Sequence, residues 1–247
     1  MPNDLAKAKP WHGFLPHQGG GIESGCQLIF ERDGAERYRS ALSIEELQQI
    51  DMLSDTVGRD MAGVRLNGHP LASSLTGPTS TLLRLARGHL GLQARAVRAV
   101  LFDKTAETNW ALGWHQDRTI VVRDRFDVAG FGPWSRKSGL QHVEPPFSFL
   151  DRMVTLRAHL DPCDCDNAPL LIAPGSHQEG RVPVEIIEGT ISRLGIATCL
   201  AATGDVWLYA TAILHASNAA IQPKRRRVLQ VDFSADELPP PLEWCLV

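Results

Sequence analysis

Hydrophobic and polar residues alternate with two different periods along this chain. Between residues 43 and 90, apolar residues recur at the spacing that is typical of amphipathic helices. Ser43 and Glu46 form a capping box at the start of the first such segment, and Gly91 ends the second. A further segment with helical spacing comes much later in the chain. The predicted helices cover 43–57, 79–90 and 183–194.

From residue 95 onward, the apolar residues fall into short runs separated by Gly and Pro, a pattern typical of β-strands. The segment around Leu28-Ile29-Phe30 is also compatible with a short strand. Helices that precede a series of strands indicate an α+β protein, mainly β, whose helices pack on one face of an antiparallel barrel or sandwich. The predicted strands lie near 96–103, 110–122, 152–161, 169–173, 197–201, 205–209, 212–216 and 226–234.

Two segments lack a regular period. Residues 1–25 are polar and rich in glycine, and we expect them to form a loose N-terminal arm. Residues 124–147 are rich in Gly and Pro, and long irregular segments in compact domains usually have a function. We predict that this second segment is a mobile lid over a pocket. Because no linker or repeat divides the chain, we predict a single domain over 1–247 with its barrel core at 95–235.

The size and charge of the chain narrow the roles that it can have. A chain of 247 residues, 43% of them apolar, is long enough for one large domain without disulfides. The net charge of −3 argues against a general nucleic-acid or membrane-surface function, since both usually require a basic excess. No signal peptide is evident, and no stretch approaches the ~20 apolar residues of a membrane span. We therefore expect a cytoplasmic protein with reduced cysteines that binds small molecules.

One short motif has the composition of a metal site. His115 and Asp117 lie in a β-like stretch, where side chains two residues apart point to the same face. An imidazole and a carboxylate suit Fe(II), and a second histidine would complete a 2-His-1-carboxylate site with open positions. By itself the motif is a weak signal, because a histidine in a strand is more often structural.

The third ligand is predicted from its context. His215 follows an apolar β-like run and precedes a polar turn. Arg226 comes eleven residues later, at the start of an apolar strand, where its guanidinium could form a bidentate pair with a carboxylate. Arg225 and Arg227 are alternatives for this role, but strand alternation points both to the opposite face.

Four motifs occur in a characteristic order: WHQD (114–117), LDPCDCDNAPLLIAPGSH (160–177), GD (204–205) and HAS (215–217), followed by Arg226. Together they resemble the phytanoyl-CoA dioxygenase family of Fe(II)- and 2-oxoglutarate-dependent oxygenases. The resemblance covers roughly residues 95–235 and implies a double-stranded β-helix, the jelly-roll or cupin-like barrel. It also implies that His115, Asp117 and His215 bind iron. By the same mapping, Arg226 and Ser217 hold the distal carboxylate of 2-oxoglutarate.

Two positions depart from the family pattern. The usual Asn-Gly of the middle motif is Asn167-Ala168, and the glycine of the distal His-Gly-Ser is Ala216. Neither position is a ligand, so neither changes the predicted site.

Strand parity indicates further polar residues inside the barrel. Thr155, Arg157 and His159 should face the interior, while the alternate apolar residues pack beneath the helices. A buried arginine needs an anionic partner, which is either a carboxylate of the protein or one of a ligand. Arg157, Lys104 and Arg123 are therefore candidates for substrate contacts, the last only if the metal-binding strand continues that far.

The predicted function is a dioxygenase that uses Fe(II), 2-oxoglutarate and O2. It would hydroxylate an unactivated C–H bond of a small, carboxylate-bearing metabolite and release succinate and CO2. The alternatives are a cupin-like metal-binding protein without turnover and a zinc hydrolase with the same three ligands. Arg226 favours the oxygenase, because a hydrolase would not need it.

Overall fold

The computed structural model describes residues 27–57 and 63–247, so the expected N-terminal arm over 1–25 lies outside the described residues. The capping box at the start of the first long helix is present, because Ser43 Oγ accepts from the Glu46 N–H at 3.2 Å and the Glu46 carboxylate accepts from the Ser43 N–H at 2.9 Å. Short 3-10 turns lie at Ser176–Glu179 and Val184–Ile186. Within the described ranges, no helix combines the length and apolar character that a bilayer crossing requires. The helices are α1 Phe30–Asp33, α2 Ile44–Thr56, α3 Pro70–Leu75, α4 Thr81–Leu90, α5 Phe147–Leu150 and α6 Ile187–Leu194.

The strands are β1 Ala35–Tyr38, β2 Gly63–Arg65, β3 Arg95–Lys104, β4 Leu112–His115, β5 Ile120–Val122, β6 Trp134–Lys137, β7 Leu140–Val143, β8 Val154–His159, β9 Leu170–Ile172, β10 Ala197–Cys199, β11 Val206–Ala210, β12 His215–Ser217 and β13 Arg226–Ser234. They pair antiparallel in three sheets. The largest has the order β1-β11-β8-β13-β3-β2, the second β10-β9-β12-β4, and the third β5-β7-β6. This arrangement confirms the prediction of a mainly β protein with antiparallel sheets.

The helices pack on the outer face of the six-stranded sheet, as predicted. Leu53 of α2 and Leu82 of α4 belong to the same buried cluster as Leu101, Leu156 and Leu229 of β3, β8 and β13. Full burial of such an aliphatic side chain stabilises the fold by about 1.5–3 kcal/mol. The outer face of the sheet is thereby filled with apolar side chains, and the alternate residues of the same strands point inward.

The inner face of the six-stranded sheet is polar. Arg226 lies opposite Lys104, and Gln230 of the same strand lies opposite Arg157. Asp232 lies opposite both Arg98 and Thr155. Since directly opposed residues share a face, these side chains line the interior in a row from one end of β13 to the other. The parity predicted for β8 is confirmed.

The prediction of a short strand around Leu28-Ile29-Phe30 is wrong. Phe30 begins the short helix α1, which ends at Gly34 with a left-handed φ of 75°. The strand follows directly as β1 and pairs with β11. Both β1 and β2 belong to the six-stranded sheet, so this sheet extends beyond the predicted core of 95–235.

The strand predicted over 110–122 is interrupted after His115. In the gap, the Gln116 side-chain amide donates to the carbonyls of Gly180 and Ala212 and accepts from the Val182 N–H. These bonds bring a connecting loop against the chain and end β4, so that the pairing resumes only with β5 at Ile120.

The segment 124–147 is not irregular throughout, which corrects that part of the prediction. It contains the hairpin β6–β7, whose turn residues Ser138 and Gly139 both have positive φ, as a tight hairpin turn requires. Through β7 the hairpin pairs with β5. Control of access by this segment stays a prediction.

Candidate metal centre

Two histidines and one carboxylate converge inside the barrel. His115 ends β4 and His215 begins β12, and the two residues are direct partners across this antiparallel pair. Their ring centroids are 4.3 Å apart. One ligand atom from each of these histidines and one from Asp117 all lie within 4.8 Å of one another. The structure therefore brings together the three residues that the sequence predicts as metal ligands.

Backbone carbonyls fix the tautomer of both imidazole rings. Nδ1 of His115 lies 2.7 Å from the Gly113 carbonyl, and Nδ1 of His215 lies 3.0 Å from the Ile213 carbonyl. Because a carbonyl only accepts hydrogen bonds, Nδ1 carries the hydrogen in each ring and Nε2 keeps a free lone pair. Burial, together with the charge of His115, lowers the pKa of His215 to about 4, so this ring is neutral near pH 7. Both rings thus offer a metal-binding nitrogen.

An arginine holds the carboxylate of the site. Arg98 Nη2 donates to Asp117 Oδ2 at 2.7 Å, and Arg98 Nε lies 2.5 Å from Asp232 Oδ2. The second carboxylate also accepts from Thr155 Oγ1 at 3.1 Å. Burial raises the pKa of Asp117, but the charge and hydrogen bond of Arg98, together with the two histidines, outweigh it and lower this pKa below its ordinary value. Asp117 is therefore ionised and oriented, as a metal ligand must be.

Arg226 lies at the other end of the interior row and has no carboxylate partner among the described residues. Its side chain is 2% exposed, and its Nε and Nη1 make no hydrogen bond within the described chain. Burial and the nearby Arg157 lower its pKa to about 10. A guanidinium that is buried without a carboxylate partner is expensive, so this position is suited to an anionic ligand.

Two further residues surround Arg226. Lys104 is its direct partner on β3, and Lys104 Nζ lies 2.8 Å from the Trp110 carbonyl and 3.4 Å from Ser217 Oγ. Ser217 Oγ also donates to the Ala168 carbonyl at 3.2 Å. Ala168 itself has a φ of 53°, in the left-handed region that favours the glycine expected there.

The two alternative arginines are neutralised elsewhere. Arg225 pairs with Asp103 at 2.9 Å, and Arg227 pairs with Asp161 at 2.8 Å. As strand parity predicts, Arg226 is the one of the three that faces the interior. No carboxylate in the described part of the chain pairs with it.

The substrate candidates occupy different places. Arg157 lies in the interior, where its Nη1 donates to Gln230 Oε1 at 3.3 Å, and no described carboxylate pairs with it. Arg123 does not reach the site: its side chain is exposed and pairs with Glu243 at the surface. The reason is the interruption of the strand after His115, which breaks the parity on which the Arg123 prediction depended.

Residues 54–228 match the family model described as phytanoyl-CoA dioxygenase (PhyH), and this match spans more than half of the chain. The chain belongs to the phytanoyl-CoA dioxygenase family. It is therefore a 2-oxoglutarate-dependent oxygenase that requires Fe(II) and O2, which confirms the family, enzyme class and cofactors predicted from the sequence. Among curated proteins, no sequence matches this member of the family significantly.

Solved structures with the same fold have low sequence identity to this chain. AviO1 from Streptomyces viridochromogenes Tue57 has a TM-score of 0.61 at 16% identity, covering 87% of this chain and 95% of AviO1. EctD from S. alaskensis, solved with 2-oxoglutarate and 5-hydroxyectoine, has a TM-score of 0.61 at 18% identity, and the match covers 83% of this chain and 73% of EctD. HygX from Streptomyces hygroscopicus, solved with nickel, 2-oxoglutarate and hygromycin B, has a TM-score of 0.58 at 15% identity, and the match covers 83% of this chain and 84% of HygX. These likenesses confirm the jelly-roll fold.

Arg98, which pairs with Asp117, and its second partner Asp232 are residues near the metal centre that the sequence did not predict. A signal for both was present, because Arg98 has the parity of Lys104 on β3 and Asp232 has the parity of Arg226 on β13. Their ion pair depends on the register between these two strands, which periodicity alone does not supply.

Replacement of Arg98 by glutamine is expected to weaken iron binding by about 10- to 100-fold, because loss of a residue that orients a metal ligand typically has an effect of this size. The measurement is the Fe(II) dissociation constant under anaerobic conditions. Asp232→Asn is the matched variant, since it leaves the Arg98–Asp117 pair in place and should bind iron within about threefold of the wild type. A folded Arg98→Gln variant with wild-type iron affinity would contradict this role.

Proposed function

We propose that this oxygenase hydroxylates an unactivated C–H bond of a small, carboxylate-bearing metabolite, consuming 2-oxoglutarate and releasing succinate and CO2. The observation that carries the proposal is the pairing of two features in one interior. His115, Asp117 and His215 converge in the interior, and a buried arginine without a carboxylate partner among the described residues lies in the same interior.

The donor set fits ferrous iron. Two neutral imidazole nitrogens and one carboxylate form the 2-His-1-carboxylate arrangement of non-haem iron oxygenases, which leaves positions for a chelating cosubstrate and O2. When bound, iron and 2-oxoglutarate supply the oxidising power for C–H hydroxylation. The protein's part is to hold His115 and His215 through the carbonyls behind them and to hold Asp117 through Arg98.

The positive charge around Arg226 suits a dianionic cosubstrate. We assign to Arg226 and Ser217 the binding of the distal carboxylate of 2-oxoglutarate, with Lys104 beside them. Arg157 also lies near this end, since its charge lowers the pKa of Lys104 and of Arg226. We therefore place Lys104 and Arg157 in the cosubstrate pocket rather than at the substrate. A zinc hydrolase would leave these cations without a partner.

Solved structures of the same fold support the proposal that a small metabolite binds beside the cosubstrate. EctD was solved with 2-oxoglutarate and 5-hydroxyectoine together, and HygX with 2-oxoglutarate and hygromycin B. Each of these proteins was thus solved with the cosubstrate and a second small molecule at the same time. A pocket for a small metabolite next to the cosubstrate is the corresponding expectation for this chain.

The proposal is tested by incubating the iron-loaded protein with 2-oxoglutarate, isotopically labelled O2 and a panel of small carboxylates, each paired with its uncharged amide. We expect one or more carboxylates to stimulate succinate formation and to gain one labelled oxygen atom, while the amides do not. If no panel member is labelled and the amides stimulate succinate as well as the acids, the proposed substrate class is wrong.

The affinity for 2-oxoglutarate is expected to fall as the pH rises through about 7. Burial, together with the charges of Arg226 and Arg157, lowers the pKa of Lys104 to about 7 in the ligand-free protein. A dianion stabilises the protonated form, so binding is strongest below this pKa and weakens above it by at most about tenfold per pH unit. Calorimetric titration of the iron-loaded protein between about pH 6.5 and about pH 8.5 measures the effect. The Lys104→Met variant should bind 2-oxoglutarate more weakly, and its affinity should not fall with pH over this range. If the affinity of the variant falls as steeply as that of the wild type, Lys104 is not the source of the pH dependence.

A further inference from the structure

A second group of cationic and polar side chains lies next to the metal centre, on the side of Arg98. Arg65 on β2 is the direct partner of Val100, so it shares the inner face of the sheet with Arg98. Arg65 Nη1 donates to Ser138 Oγ at 3.2 Å, which joins the sheet edge to the tip of the β6–β7 hairpin. Lys137 on β6 and His142 on β7 share one face of that hairpin. We call Arg65, Lys137 and His142 the hairpin cluster.

The charges of the hairpin cluster are not neutralised within the described chain. Arg98 is paired with Asp117 and Asp232, but neither Arg65 nor Lys137 forms an ion pair with any described carboxylate. Arg65 Nε is buried without a hydrogen-bond partner among the described residues. The cluster therefore has two positive charges with no described carboxylate in ion-pair contact.

His142 gives an independent sign of a ligand site. It is 1% exposed, and neither Nδ1 nor Nε2 has a hydrogen-bond partner in the described part of the protein. Buried side-chain nitrogens nearly always have a partner, so a ring with two unpartnered nitrogens is suited to contact a ligand. Burial, with the charges of Arg65, Arg98 and Lys137, lowers the pKa of His142 to about 4, so near pH 7 the ring is neutral and offers one N–H donor.

The hairpin cluster is distinct from the cosubstrate pocket. Lys104 and Arg98 are six positions apart on β3, which is about 20 Å at ~3.3 Å per residue. Arg226 is opposite Lys104, at one end of this strand, whereas the cluster lies on the side of Arg98, which pairs with Asp117 and Asp232. Burial and the charges of Arg65 and Arg98 lower the pKa of Lys137, and the charge of Asp117 opposes this, so the Lys137 ammonium lies within electrostatic reach of the metal ligand.

We propose that the hairpin cluster binds the anionic group of the substrate, a carboxylate or a phosphate, beside the metal centre. Arg65 and Lys137 supply the charge, and the His142 N–H supplies a directed hydrogen bond. This inference rests on the proposed function, since an oxygenase must hold its substrate next to the metal ligands. It also gives the hairpin a structural role, because the bound anion would join β2 to β6 and β7 and keep the hairpin over the pocket.

The test uses the protein loaded anaerobically with Fe(II) and saturated with 2-oxoglutarate, so that the cosubstrate pocket is filled. Inorganic phosphate and acetate are titrated separately at constant ionic strength, and binding is followed by calorimetry and by the ring resonances of His142. The variants are Lys137→Gln and Arg65→Gln. Arg136→Gln is the matched control, because Arg136 is exposed like its neighbour Lys137 but lies on the opposite face of the same strand.

We expect at least one of the two anions to bind the wild type and to shift the His142 resonances. Loss of a charge-assisted contact should weaken that binding at least about tenfold in Lys137→Gln and Arg65→Gln. Arg136→Gln should bind within about twofold of the wild type, and 2-oxoglutarate affinity should be unchanged in all three variants. Preference for acetate identifies a carboxylate substrate, and preference for phosphate a phosphorylated one.

The proposal is overturned if neither anion binds, or if Arg136→Gln loses as much affinity as Lys137→Gln. Failure of the proposed function has a different signature. In that case 2-oxoglutarate fails to bind or to be consumed, while the anion affinities of the iron-loaded wild type and its variants can still be compared directly.

Discussion

Replacement of Asp117 by alanine is expected to abolish iron binding and succinate formation together. Only three protein side chains converge at the centre within the described chain, and removal of the carboxylate leaves two neutral imidazoles facing a cation. The loss should exceed the ~100-fold effect that removal of an outer partner of a metal ligand can have. His115→Ala is expected to behave in the same way. The measurements are bound iron after anaerobic loading and succinate formed in the presence of O2.

The matched control for this prediction is Asp124→Ala, which removes an exposed carboxylate a few residues further along the chain. It should load iron and form succinate as the wild type does. Wild-type iron occupancy in both Asp117→Ala and His115→Ala would mean that the metal, if one binds, is held elsewhere.

The second large effect is expected for Arg226→Ala, which should raise the 2-oxoglutarate concentration needed for half-maximal succinate formation while iron stays bound. A lost contact to a buried charged partner typically costs ~2–5 kcal/mol. Since 1.36 kcal/mol corresponds to about tenfold, the requirement should rise about 30-fold or more. Iron affinity should be unaffected, because Arg226 lies at the opposite end of β13 from Asp232, which pairs with Arg98.

Arg225→Ala serves as the control for this prediction. It removes the neighbouring guanidinium, which pairs with Asp103 rather than facing the interior. This variant should lose some stability of the fold, but its 2-oxoglutarate requirement should stay within about twofold of the wild type. An Arg225→Ala variant with the raised requirement, beside an Arg226→Ala variant without it, would assign the wrong arginine.

The parts of the site that follow strand parity could be predicted from the sequence. His115 and Asp117 are two residues apart, and Arg226 alternates with Arg225 and Arg227, so period two is sufficient to orient each of them. Parity gave the wrong position for Arg123, because Gln116 ties the backbone to a neighbouring loop and interrupts the strand. Parity holds only as far as the strand continues, and a single side chain can end it.

Other parts of the site depend on register and on long-range pairing. Arg98 can reach Asp117 and Asp232 only because β3 pairs with β13 in one register. Arg65 belongs to the interior only because β2 joins the edge of the sheet. Neither pairing is local in sequence, and the hydrophobic pattern gives no information on which strands become neighbours. The hairpin that carries His142 had only a weak local signal, the turn sequence Ser138-Gly139, in a segment without a regular period.

The most direct test of iron-dependent cosubstrate binding is the anaerobic titration of 2-oxoglutarate into the wild-type protein with and without Fe(II), followed by calorimetry. A cosubstrate that is held by both the metal and Arg226 should bind one equivalent tightly when iron is present. Most of this affinity should be lost when iron is omitted or when Asp117 is replaced by alanine. Absence of binding to the iron-loaded wild type, or an affinity that is the same with and without iron, would contradict the assigned site.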